Sequence, residues 1–500
     1  MDNMQNKPFP WLNVNRSGDT PIFQQIVDSI DSAVQQGTLG NGERLAPVRA
    51  MADHLGINAL TVSRAYKELG ARGLLVGRGP LGTFVTTDQA ASHPLPEPAK
   101  LAGNWRSRYP EDTFRQMLDA SALPGAISLT QAYPTASAVD LRPFERAMSE
   151  TFAEGSGSLY CYHQPDGASA LKDAVRNVLL PAQSGIDGPL LVTNGGQQAI
   201  ALVMRALLRA GDTIVMERPS YFGALDVARS IGARIIGVDL EPDGLNLDQL
   251  SDALERHDVK LLFLMPNFHN PTGVTTSLDK RKKILELIRI HGVPVLEDDH
   301  APEMRFRGEP LPSLRALARP EDPIFYGRGF GKSYVPGIRL GMVMPPPSYF
   351  QDIASQKSMT DLHTSWPLQE AFARYLGTPA ARDNVERQCV AYARVQDFVI
   401  DKLKATLPPE FRFIVPDGGF NMWIETPPHI DSVDLCWAAA QRGVALLVGA
   451  PLFPDIENYQ SFRLSYGIAD FDKIESGIDR IGAAIRDVGA KRSRRSAPVV

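Results

Sequence analysis

From about residue 113 onward, short apolar β-prone runs alternate with stretches patterned like helices, and this alternation restricts the possible folds most. The runs are 190–193, 214–217, 234–238, 260–265 and 293–297, each separated from the next by room for one helix. Parallel strands need such crossovers, so the pattern predicts βαβ units building a mostly parallel sheet with helices on both faces. After about residue 370, helical stretches mix with a few short strands, which predicts a smaller C-terminal subdomain. A chain of 500 residues exceeds a typical domain about threefold, so more than one domain is expected.

Residues 18–86 follow another pattern. Thr20 and Pro21 read as an N-cap and first helical position, followed by Ile22, Ile26, Ile30 and Val34 on one face. Gly37 and Gly40 end that helix. Residues 48–55 resume helical spacing after Pro47, Gly56 breaks it, and 60–69 take it up again. The runs 74–76 and 83–85, joined by Gly- and Pro-rich residues, read as a hairpin. Three helices and a hairpin predict a winged helix-turn-helix. The whole chain carries a net charge of −5, so contact with nucleic acid requires a local basic patch. Arg44, Arg49, Arg64, Lys67, Arg72 and Arg78 supply one against Glu43, Asp53 and Glu68. The second helix of such a motif enters the major groove by its N-terminal end, which nominates Asn58, Ala59, Leu60, Thr61, Ser63 and Arg64.

Pro94, Pro96 and Pro98 alternate with small and polar residues, so 87–112 is read as a semi-extended linker. The three cysteines, Cys161, Cys389 and Cys436, lack ligand or disulfide spacing, and no apolar run is long enough to cross a bilayer. A reduced, cytoplasmic protein without metal is expected. Residues 77–82 satisfy GxGxxG but precede no helix, and Gly331-Lys332-Ser333 lacks the first glycine of a phosphate loop, so neither is read as a nucleotide site.

In the larger domain several residue types point to one chemistry. Lys332 follows an apolar run and can condense with an aldehyde. Asp298 ends a β-run at the edge where parallel sheets bind ligands, and a carboxylate there needs a positive partner. Asn270-Pro271-Thr272-Gly273 follows another strand, and Asn194-Gly195-Gly196-Gln197 joins a strand to a helix whose first N–H groups face any anion.

Arg44 to Arg49, Leu55-Gly56, Thr61 to Tyr66, Arg72-Gly73-Leu74 and Gly82 to Val85 resemble the GntR-type winged-helix domain. That resemblance implies that Arg49, Asn58, Thr61, Ser63, Arg64 and the wing residue Gly82 contact operator DNA, although Ala59 replaces the usual arginine. Tyr162, Gly195-Gly196, Tyr221, Asn270, Asp298, Lys332, Arg339 and Arg463 resemble, in order, the fold-type I aminotransferase family. The resemblance implies an α/β fold binding pyridoxal 5'-phosphate. Lys332 would carry the cofactor as a Schiff base, Asp298 face the pyridine nitrogen and Asn270 bond the ring hydroxyl. Tyr221 would stack on the ring, Gly195, Gly196 and Arg339 hold the phosphate, and Arg463 pair with a substrate carboxylate. Tyr162 would reach the phosphate of a partner subunit in a homodimer. Gly329 and Gly331 stand where hydroxyl residues are usual, and His300 replaces a tyrosine.

Together the two parts are similar to the MocR/GabR group of transcriptional regulators, with a winged helix at 1–86, a linker at 87–112, an effector and dimerisation domain at 113–490 and a basic, disordered tail at 491–500. The expected function is amine or amino-acid sensing that alters binding to operator DNA. A working aminotransferase with an accessory winged helix is the alternative, and an interaction scaffold with vestigial sites is a third reading.

Overall fold

The computed structural model describes residues 9, 11–12, 14–16, 18, 20–77, 82–86, 125–180 and 186–495. The chain divides into two compact units, Met1–Gly103 and Asn104–Val500, and the division falls within the segment expected to be a linker. The described residues include none of 87–124, so that expectation and part of the 77–82 stretch lie outside them.

In the first unit α1 (Ile22–Gln35) buries Ile26, Val27, Ile30 and Ala33, so the four-residue stripe faces the core as expected. Its N-cap is Pro21, not Thr20. The backbone is already extended at Pro21 (φ −56°, ψ 138°), which puts Thr20 one residue too early; its carbonyl accepts from Gln25 Nε2 at 2.6 Å instead. Helix α2 (Val48–Leu55) stops at Gly56, whose φ of 60° is the left-handed conformation that glycine adopts without penalty. Helix α3 (Ala59–Ala71) packs Val62, Ala65 and Leu69 against Met51 and Ile30. Strands β1 (Leu75–Gly77) and β2 (Thr83–Val85) pair antiparallel. Backbone bonds from Val85 N to Glu43 O and from Leu45 N to Thr83 O add a third edge that periodicity did not foretell. The unit is the winged helix that its sequence predicts.

In the second unit the strands are β3 (Ile127–Ser128), β4 (Leu191–Thr193), β5 (Thr213–Arg218), β6 (Arg234–Glu241), β7 (Gly244–Leu245), β8 (Val259–Leu264), β9 (Val295–Asp298), β10 (Ile324–Gly329) and β11 (Gly341–Met344). An eight-stranded sheet has the order β4-β11-β10-β9-β8-β5-β6-β7, and only β11 and β7 run against the rest. All five expected runs are strands. Successive residues serve opposite layers: Leu261 and Phe263 pack with Ile200 and Leu225, while Leu262 and Leu264 pack with Leu250 and Ile284. Burial on both faces explains why these runs are continuously apolar.

The expected smaller subdomain is present. Strands β12 (Arg412–Phe413), β13 (Asn421–Glu425), β15 (Leu447–Val448) and β16 (Ser461–Ser465) form an antiparallel sheet packed with the helices Pro379–Thr406 and Phe471–Arg495. Strand β14 (Val444–Ala445) pairs parallel with β3, so residues near 127 belong to this subdomain although they precede the large sheet in sequence. The last helix runs through Arg495, so the tail is helical that far rather than unstructured; residues 496–500 are not described. Among the described residues no helix is long and apolar enough to cross a membrane, and Cys161, Cys389 and Cys436 are free thiols.

Candidate functional site

Strands β4, β5, β8, β9 and β10 run in one direction, so the segments leaving their C-terminal ends share one edge of the sheet, the usual ligand crevice of such folds. Gly195, Tyr221, Asn270 and Lys332 follow β4, β5, β8 and β10, and Asp298 ends β9. Topology therefore gathers residues spread over about 140 positions of sequence.

Asp298 is 4% exposed, and among the described residues no donor bonds it and no cation pairs with it. Burial raises its carboxyl, while the charge of nearby Lys332 pulls it down. Burial also pushes the Lys332 ammonium well below the usual lysine value, against the raising influence of Asp298. Each feels the other, yet no ion pair joins them. A buried carboxyl in that condition would be stabilised in its charged form by a cationic ligand.

Arg463, on β16 of the smaller subdomain, is 2% exposed. Its Nη1 donates to Asn270 Oδ1 at 2.8 Å and its Nη2 to the Thr130 carbonyl at 2.7 Å. Its Nε is buried without a partner, and no carboxylate pairs with it among the described residues. Burial lowers its pKa to about 10. Because Arg463 only donates, Asn270 must present its oxygen to it, which leaves Asn270 Nδ2 to donate into the crevice. Tyr221 is half-buried, and burial pushes its phenol up to about 12.

Gly195, at φ 81°, opens the helix Gly196–Leu207 with no side-chain cap. Arg339 lies directly over it: a Cβ at Gly195 would stand 3.0 Å from Arg339 Nη2, which itself donates to Asn194 O at 3.2 Å. Backbone N–H groups of the first helical turn and a guanidinium thus converge, an arrangement suited to a phosphate. The two glycine departures differ in cause. A Cβ at Gly329 would come within 3.2 Å of Gly196 N, so a side chain there would crowd the turn, whereas Gly331 has ordinary space.

His300 is 6% exposed and pairs its Nε2 with the Phe268 carbonyl at 3.1 Å. A carbonyl only accepts, so Nε2 carries the proton and Nδ1 is an acceptor, buried without a partner. Burial first, and the charge of Lys332 next, hold the pKa of His300 well below the usual histidine value, so the ring is neutral. The site offers a lone pair where a tyrosine would offer O–H.

Tyr162 stands apart. It is 85% exposed and rests edge-on against His363, at 6.0 Å between ring centres. Sequence reasoning missed the buried pair Glu217–His269, at 3.3 Å, which ties the end of β5 to the Asn270 turn. Neither residue lies in a motif, and only the sheet order brings them together.

In the winged helix Arg49 is exposed on α2, while Thr61 and Ser63 are half-buried on α3. Asn58 caps α3, its Oδ1 accepting from Leu60 N at 2.8 Å. Arg64 is exposed but its guanidinium lies 4.1 Å from the Phe23 ring centre. Gly82 has φ 108° and is overlain by Arg44.

Residues 132–481 match the family described as Aminotransferase class I and II. The chain belongs to that family. Within it, the chain is 29% identical to the 2-aminoadipate transaminase of Thermus thermophilus over 77% of its own length and 96% of the relative's. The solved structure of the α-aminoadipate aminotransferase LysN from Thermus thermophilus, complexed with N-(5'-phosphopyridoxyl)-L-leucine, superposes with TM-score 0.70 at 29% identity, covering 78% of this chain and 98% of that one. Unlike a lone class I and II aminotransferase domain, this chain also matches the bacterial regulatory proteins of the gntR family over residues 22–85. Similarity to the "Probable rhizopine catabolism regulatory protein MocR" of Rhizobium meliloti is 27% identity over 95% of both lengths. The resemblance to two families seen in the sequence is thereby confirmed.

Proposed function

We propose that this protein is a DNA-binding transcriptional regulator that holds pyridoxal 5'-phosphate in its aminotransferase domain and uses it to sense an amine or amino acid. The observation that carries the reading is the fusion of a winged helix to a crevice where, among the described residues, neither the buried Asp298 nor the half-buried Lys332 has a hydrogen-bond or ion-pair partner. The residues fit the cofactor. Asp298 would hold the proton of the pyridine nitrogen, Tyr221 would cover the ring, and Asn270 Nδ2 would donate to the ring oxygen. Gly195, Gly196 and Arg339 would hold the phosphate. When bound, the cofactor supplies an electrophilic carbon to which amines add. Lys332 would keep that carbon covalently occupied until an effector amine displaces it, and Arg463 would bind the effector's carboxylate. The exposure of Tyr162 suits a residue completing the phosphate site of a second subunit in a homodimer.

Because Arg463 joins the smaller subdomain to the Asn270 turn, effector binding there would favour one arrangement of the domain over another and so bias operator affinity. The test is an absorption titration of the loaded protein with a panel of amines, paired with fluorescence anisotropy on promoter DNA. One amine should shift the spectrum and change DNA affinity together; a spectral shift with unchanged DNA affinity and promoter output would sink the reading. Retention of Lys332, Asp298, Asn270 and Arg463 favours one rival, an active aminotransferase, which steady release of keto acid would establish.

For the winged helix, Arg49→Ala should weaken binding alike on all sequences and flatten the slope of log affinity against log salt by about 1, as loss of one phosphate contact does. An unchanged slope would remove Arg49 from the interface.

A further inference from the structure

We infer that Asp361 is a positioning residue for the phosphate end of the cofactor, acting through the Asn194–Gly195 turn. This rests on the cofactor reading above. The crevice lacks the hydroxyl side chains expected at Gly329 and Gly331, so on the proposed reading more of the hold on the phosphate falls to Arg339 and to backbone N–H groups whose direction the turn sets, beside Tyr162 from a second subunit.

Three donors converge on the Asp361 carboxylate at the end of the helix Phe350–Asp361. Asn194 Nδ2 donates to Oδ2, Gln198 Nε2 reaches the same oxygen at 2.9 Å, and Lys357 Nζ bonds both oxygens, at 2.5 and 2.6 Å. Gln198 closes the loop, because its Oε1 accepts from Asn194 N at 2.7 Å. Asn194 is thus fixed by side chain and backbone from one carboxylate, while its carbonyl receives Arg339 at 3.2 Å. The bonds of Asn194, Gln198 and Arg339 orient the turn and the guanidinium over it.

Charge is arranged to match. Lys357 is fully buried and also donates to Thr364 Oγ1 at 2.9 Å, so it is committed to Asp361 and cancels its negative charge. A bare carboxylate behind the turn would repel a phosphate; a neutralised one orients donors without opposing the ligand. Sequence offers no motif for this, since Asn194 and Asp361 lie 167 residues apart.

The experiment compares pyridoxal 5'-phosphate with pyridoxal, which lacks the phosphate, on wild type and Asp361→Asn, by the absorbance of the borohydride-reducible adduct. Asp361→Asn should weaken the phosphorylated ligand about tenfold or more and leave pyridoxal within about twofold, the scale on which loss of an orienting partner acts. Asn194→Ala, which strands no buried cation, should reproduce the selective loss if Asp361→Asn fails to fold. Equal weakening of both ligands, or no weakening in either variant, overturns the inference. Failure of wild type to take up either ligand overturns the cofactor reading, and this inference with it.

Discussion

Lys332→Ala is expected to abolish the borohydride-reducible adduct with pyridoxal 5'-phosphate completely and, with it, any effector-dependent change in DNA binding. Lys332 makes no hydrogen bond or ion pair among the described residues, so the substitution breaks no such bond and, with Asp298 free to take up a proton, should leave the fold intact by circular dichroism. On the proposed reading Arg339, the Gly195 turn and Asp298 would still hold the cofactor, but reversibly, and dialysis should remove it. The pH dependence of loading in the wild type adds a second check. Condensation needs the neutral amine, and burial places the Lys332 pKa below the usual lysine value of about 10.4, so loading should speed up with rising pH and level off well below that value. Asp298 raises the Lys332 pKa, so Asp298→Asn should move the rising limb to lower pH still. A limb unmoved by Asp298→Asn would mean that the two groups do not act on each other as the crevice places them.

What could be read from the chain, and what could not, follows from how far apart the interacting residues lie. Gly56, Pro47 and the stripe from Ile22 to Val34 act within one or two helical turns, and the winged helix emerged from them almost whole. The parallel strands were legible because burial on both faces makes them continuously apolar. Strand β11 was missed: it breaks the alternation by following β10 without a helix and pairing antiparallel with both β4 and β10. Site residues within family motifs were named individually, whereas Asp361 and the pair Glu217–His269 depend on contacts between residues 167 and 52 positions apart. Arg64 shows the converse limit. Its place on α3 nominated it for DNA, but its guanidinium packs on Phe23 of α1, so contact with a phosphate would first require it to leave that ring.

Arg463→Met is expected to weaken an amino-acid effector by about 100-fold while leaving the corresponding decarboxylated amine nearly unaffected. The size follows from desolvation: truncating one member of a buried charge pair costs about 2–5 kcal/mol, and each 1.4 kcal/mol is about tenfold. Arg463 is suited to that pairing because its present acceptors, Asn270 Oδ1 and the Thr130 carbonyl, are neutral, and its Nε is buried with none. A guanidinium held in low dielectric by dipoles alone is stabilised further by an arriving carboxylate. Arg463→Lys separates charge from geometry, since it keeps a cation but loses the fork, and it should restore only part of the affinity for the amino acid and, with it, only part of the selectivity. A purely structural role predicts something else. If Arg463 serves only to fix Asn270 and tie β16 to the segment near Thr130, both ligands would weaken by the same factor and the protein would lose thermal stability. The ratio of the two affinities, measured spectroscopically on the loaded protein, therefore decides whether Arg463 reads the effector's carboxylate or merely holds the crevice together.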